Sequence, residues 1–185
     1  MQEEPTEDWQ LSLQDARREK DAAFRTDADS PIPAEERSAF SGLRYYPPNA
    51  ALRFDVIMRR DPAGTTITLT ASQGPPRSYR RFAFVEFTIE GHPVRLALYR
   101  ASEDSRSDDL FLPFRDSTSG TETYGAGRYL DLHAAPGGRC IIDFNLAYNP
   151  LCAYNACYSC PLPPAENWLK VPVRAGELAY PDHTA

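Results

Sequence analysis

The chain has 185 residues, 42% of them hydrophobic and 25% charged, which suffices for one hydrophobic core under a polar surface. Its formal net charge of -6 excludes a broad nucleic-acid footprint and argues against attachment to anionic membranes. No apolar run approaches the roughly 20 residues that span a bilayer.

The opening MQEEPTEDWQ carries neither a basic region nor an apolar stretch. The expectation is therefore a chain without a signal peptide, located in the cytoplasm, with its four cysteines mostly reduced. From about Asp8 to Arg25 the sequence is charged and lacks Gly and Pro. Trp9, Leu13, Ala16, Ala23 and Phe24 fall near one helical face there, which predicts an amphipathic helix packed on the domain. Ser30 to Pro33 breaks the chain, and AEERSAF predicts a short second helix with Pro33 at its start. Residues 8–40 thus form a helical arm, residues 50–178 a β domain, and 1–185 a single domain.

From Leu52 the hydrophobic period changes to two. LRFDVIMRR places Leu52, Phe54, Val56 and Met58 on one face, and TTITLTAS continues the strand chemistry. RRFAFVEFTIE and PVRLALYRA, joined at Gly91-His92, predict a long hairpin. LFLPF, GRYLDLH, RCIIDFN and LKVPVRA predict further strands, separated by turn sequences such as EDSRSDD and APGG. The expected fold is mainly β with an N-terminal helix: about eight antiparallel strands curled into a barrel-like or sandwich sheet. No phosphate-binding glycine loop and no hydrolase or zinc-protease motif is present.

Two segments concentrate chemistry. In FRDSTSGTETYGAGRYLDLH, a hydroxyl-rich loop lies between Arg115-Asp116 and Arg128-Tyr129. Thr118 and Tyr124 add donors, and the two guanidinium groups suit a carboxylate or phosphate; the alternative is internal pairing among Arg115, Asp116, Arg128 and Asp131. In DFNLAYNPLCAYNACYSCPLPPAENWL, Asp143 sits inside an apolar strand and needs a partner, for which Arg128 and Arg115 are the nearest candidates. Asn145, Tyr148, Asn149, Tyr154 and Asn167 either aim at one cavity or satisfy the backbone of a long loop. Glu166 is a candidate acid/base or a turn cap. Cys152, Cys157 and Cys160 have the spacing C-x4-C-x2-C, which opens three readings. They could be metal ligands together with Cys140 or His133, small buried hydrophobes, or the ends of a Cys152–Cys160 bridge.

These two segments, with EKDAAFRTDADSPIPAEERSAFSGLRYYP and the later AGE, resemble the family catalogued as Domain of Unknown Function 1684, uncharacterised bacterial and archaeal proteins. The resemblance covers nearly the whole chain. Its signature takes in most of the polar residues just named, with Cys152 and Cys160 but not Cys140 or Cys157. It implies no reaction, cofactor or substrate.

The resulting expectation is a small-molecule pocket for a carboxylate- or phosphate-bearing ligand. Arg115, Asp116, Thr118, Tyr124, Arg128, Tyr129, Asp143, Asn145, Tyr148, Asn149, Tyr154, Glu166 and Asn167 would line it. If chemistry follows, Asp143 or Glu166 is the acid/base and Cys152 the nucleophile. The alternatives are a metal or redox site on Cys152, Cys157 and Cys160, and a non-catalytic protein-interaction surface anchored by Tyr154, Tyr158 and Trp168.

Overall fold

The computed structural model describes residues 7–101 and 108–181. Most of EDSRSDD and all of the chain around His183 lie outside these residues. The first element is helix α1 (Glu7–Thr26), with Glu7 and Asp8 in its first turn and Arg25 in its last, each charge opposing the helix dipole. Leu13 and Phe24 are its buried residues. No helix is long and apolar enough to cross a membrane.

Eight strands follow: β1 (Arg53–Ile57), β2 (Arg59–Arg60), β3 (Thr66–Leu69), β4 (Arg77–Ile89), β5 (His92–Ala101), β6 (Asp109–Phe114), β7 (Arg128–His133) and β8 (Arg139–Asp143). All pair antiparallel. β2, β4, β5, β6 and β7 lie side by side with β3 also on β4, making a sheet of six strands, while β1 and β8 form a separate ribbon of two. Among the described residues this pairing closes no barrel.

Alternation explains the core. Leu52, Phe54, Val56 and Met58 bury one face of the first stretch, as their spacing predicts. They join Val85, Leu96, Leu112, Leu130 and Ile142 in one apolar cluster, so the ribbon packs its inner face on the larger sheet. Rings knit the layers: Phe54 lies 4.5 Å from Phe87 and Phe114 lies 5.2 Å from Phe144. A smaller cluster of Phe24, Ile32, Phe40 and Tyr154 seats the end of α1.

The β4–β5 hairpin turns at Glu90 (φ 48°) and Gly91 (φ 81°), the two positive φ values of a two-residue hairpin turn. Two expected elements take other forms. AEERSAF makes successive turns in place of a helix: Glu36, Ala39 and Phe40 each bond to the carbonyl three residues back. The Arg37 guanidinium meanwhile gathers the carbonyls of Asp27, Ala28, Ser30 and Ile32. LKVPVRA is not a strand either. Pro172 lacks a donor, and the backbone around it is satisfied by side chains, as described next.

Candidate functional site

The polar residues of the two segments converge, but mostly on backbone. Asp116 takes the Thr118 hydroxyl (2.8 Å) and the Val173 N–H (2.6 Å), and Thr118 meets Thr123 at 3.0 Å. Arg128 is fully buried. It donates to the carbonyls of Val173 (2.8 Å), Ala175 (2.5 Å) and Glu177 (3.2 Å) and faces Asp116 at 3.5 Å. Burial pushes its guanidinium below the usual range while Asp116 opposes that shift. Gly127 (φ 103°) admits this crossing, because a Cβ there would lie 2.5 Å from the Phe114 carbonyl.

Asn167 does the same for the sheet. Its amide donates to the carbonyls of Ala97 (2.9 Å) and Pro113 (2.8 Å) and accepts from the Ala97 N–H (2.8 Å). It thereby replaces ladder bonds where β5 and β6 share only the pair Tyr99–Phe111. Asn145 grips the backbone of Asn49 through both ends of its amide. Asn149 holds the Leu178 carbonyl at 2.8 Å. Tyr129 donates to the Pro161 carbonyl (2.5 Å) and Tyr148 to Asp131 (2.7 Å).

Asp143 pairs with neither arginine that its sequence neighbourhood suggests. It accepts from the Trp9 indole (2.7 Å) and both N–H groups of Asn145, with Arg53 at 3.6 Å. It borders a largely apolar cavity of about 420 Å³ between α1 and β7–β8, walled by Leu13, Leu130, Leu132 and Ile141. Tyr154 is no surface anchor: it is fully buried and donates to Glu177. Trp168 is exposed and carries the Arg115 guanidinium 5.0 Å from its ring. Glu177, outside the expected set, is a hub that also binds Lys20 (2.5 Å) and the Asn149 N–H (2.8 Å).

The cysteines separate. Cys140 is buried in β8, where burial pushes its thiol up to about 11, and Cys157 is exposed. Cys152 and Cys160 come together: the Cys152 N–H donates to the Cys160 sulfur at 3.3 Å. The Tyr124 hydroxyl lies 3.7 Å from Cys152 Sγ. Among the described residues no group of three or more His, Cys, Asp or Glu is arranged to hold a metal ion.

Glu166 leads to a second region. It accepts from the Tyr99 hydroxyl (2.6 Å) and from Arg81 (3.1 Å), and Arg81 also binds Asp61 at 2.9 Å. Arg81 and Asp61 line a cleft of about 240 Å³ with Arg60, Arg80 and Arg100. At its floor is Phe82, the extra residue of a β-bulge between Arg81 and Ala83. The guanidinium carbons of Arg60 and Arg100 stack 3.7 and 4.1 Å from the Phe82 ring centre. Among the described residues Arg60, Arg80 and Arg100 have no carboxylate partner, and the Arg100 Nε is buried without an acceptor. Sequence reasoning passed over these residues. Their signal is arginine recurring in three adjoining strands, MRRD, YRRF and LYRA, with Arg80 paired to Arg100.

Comparison with known proteins places the chain. No curated protein matches it. A solution NMR structure of an uncharacterized protein from Haloarcula marismortui is 38% identical, with a TM-score of 0.72 over 96% of this chain and 97% of that one. The family described as "Protein of unknown function (DUF1684)" matches residues 38–178, and with that match the chain belongs to this family.

Proposed function

We propose that the protein binds a small anionic molecule, carboxylate- or phosphate-bearing, in the cleft of Arg60, Arg80, Arg81 and Arg100. The observation that carries this reading is the convergence on one concave site of three arginines that have no carboxylate partner among the described residues. Stacking on Phe82 occupies the flat faces of Arg60 and Arg100 and leaves their in-plane N–H groups for a bidentate acceptor. The ligand class is the one the sequence suggests, but the residues differ. Arg128, whose donors meet backbone carbonyls, holds the scaffold instead. Glu166 and Tyr99, behind Arg81, fix the guanidinium at the cleft wall; burial pushes the Tyr99 phenol up, so it remains a donor.

Calorimetric titration of the full chain with inorganic phosphate, and separately with citrate, tests this at low salt. Binding that weakens about tenfold or more in both Arg60→Ala and Arg100→Ala is expected. It should also fall as sodium chloride rises, because exposed charges are screened. No binding at millimolar anion, or binding unchanged in both variants, would overturn the reading.

A further inference from the structure

We propose that Cys152 and Cys160 are a hydroperoxide-reactive thiol pair, Cys152 the attacking and Cys160 the resolving residue. The inference is independent of the arginine cleft. It rests on the way three distant segments assemble around one sulfur. The loop after β3 supplies Ser72, whose N–H bonds the Cys160 carbonyl (2.8 Å) and whose hydroxyl accepts the Cys160 N–H (3.0 Å). The hydroxyl-rich loop before β7 supplies the Tyr124 phenol at 3.7 Å from Cys152 Sγ. The third segment brings both cysteines, with Cys152 partly exposed and Cys160 buried behind it.

The Tyr124 hydroxyl therefore faces the Cys152 sulfur, and the Cys160 sulfur lies against the Cys152 N–H, with Ser72 holding the Cys160 backbone in place. Donors aimed at a thiolate stabilise it, and the Cys160 thiol, Tyr124 and Ser72 together hold Cys152 down at about 6 against the opposing effect of burial. The neighbouring Cys152 pushes the Cys160 thiol up, and burial together with Cys152 pushes the Tyr124 phenol up, so both keep their protons. One sulfur is charged and reachable; the other is protonated, adjacent and shielded. That division of labour suits a two-step oxidation.

In the first step the Cys152 thiolate attacks one oxygen of the peroxide. An S–O bond forms and the O–O bond breaks. The sulfur is oxidised to the sulfenic acid, and the departing oxygen takes a proton to leave as water or an alcohol. In the second step the Cys160 sulfur attacks the Cys152 sulfur. The S–S bond forms, the S–O bond breaks, and hydroxide leaves as water with the Cys160 proton. The sum is two thiols and one peroxide to one disulfide with two waters from hydrogen peroxide, or one water and one alcohol from an alkyl hydroperoxide. The Cys160 sulfur already lies 3.3 Å from the Cys152 backbone nitrogen, so closure to an S–S bond of about 2.05 Å requires side-chain rotation more than loop rearrangement.

The test treats the reduced full chain with a stoichiometric amount of hydrogen peroxide, alkylates the remaining thiols, and maps peptides by mass. The expected product is a Cys152–Cys160 disulfide with Cys140 and Cys157 alkylated. Cys160→Ser should stop at a dimedone-reactive sulfenic acid on Cys152, and Cys152→Ser should leave Cys160 reduced. With Tyr124→Phe, the pH midpoint for iodoacetamide alkylation of Cys152 should rise from near 6 by about one unit. A purely structural tyrosine would not move that midpoint. Oxidation of exposed Cys157 ahead of Cys152, or both Cys152 and Cys160 alkylated after peroxide, would overturn the proposal. The wild-type map decides this even if a variant fails to fold.

Discussion

Asn167 and Arg100 show how differently two polar residues behave in one chain. Asn167 spends its whole amide on the backbone of β5 and β6. Asn167→Ala would leave a buried N–H and two buried carbonyls without partners, and each such group costs roughly 1–3 kcal/mol. We expect a loss of about 3 kcal/mol or more, read as a lower urea midpoint at unchanged slope. Arg128→Lys should cost about 3 kcal/mol by the same measurement, because an ammonium cannot span three carbonyls and still face Asp116. Arg100→Ala should leave stability nearly unchanged, since its guanidinium bonds to no acceptor and lies against one ring. From the sequence, Arg128 and Asn167 read as lining a pocket. Their residue types announce hydrogen bonding, but not whether the partner is a ligand or a peptide group. That depends on whether the return segment after Trp168 forms a ladder, which only the folded chain decides.

Strands with clean alternation were legible, and segments held by side chains were not. β1 follows its period-two pattern, β4 alternates beyond its bulge, and the turn falls where Gly91 places it, while β5 buries Leu96 to Tyr99 in succession. The segment 169–175 alternates just as well, yet its carbonyls and amides go to Arg128 and Asp116. Alternation records which residues face inward and says nothing about who bonds the backbone. The bulge at Phe82 was equally hidden, because a single inserted residue leaves no compositional mark. Two glycines separate conformational strain from steric exclusion. Gly91 has open space around its missing Cβ, so Gly91→Ala should cost only the positive φ, about 1 kcal/mol. Gly127→Ala adds a collision with backbone, so its loss should exceed that of Gly91→Ala by about 2 kcal/mol. Equal losses in paired urea melts would show that the Phe114–Gly127 approach relaxes freely.

Helix α1 lies wholly outside the family match, which begins at residue 38, yet it is tied to two buried carboxylates, Asp143 and Glu177. Trp9 donates to Asp143, Leu13 is buried, and Lys20 reaches Glu177, which is itself only 1% exposed. Glu177 also takes the Tyr154 phenol and the Asn149 N–H, so one carboxylate joins the helix, the long cysteine-bearing loop and the C-terminal return. A carboxylate so enclosed depends on its ion pair with Lys20. Lys20→Met should destabilise the full chain by about 3 kcal/mol, because removing one partner strands a buried charge. Glu177→Gln removes that charge, so Lys20→Met added to Glu177→Gln should cost much less than it does in the wild type. A double-mutant cycle by urea unfolding measures the difference, and amide exchange in α1 reports where it acts. If Lys20→Met costs the same in both backgrounds, the ion pair contributes nothing to docking and the helix is held by its other contacts, Trp9, Arg17, Leu13 and Phe24 among them.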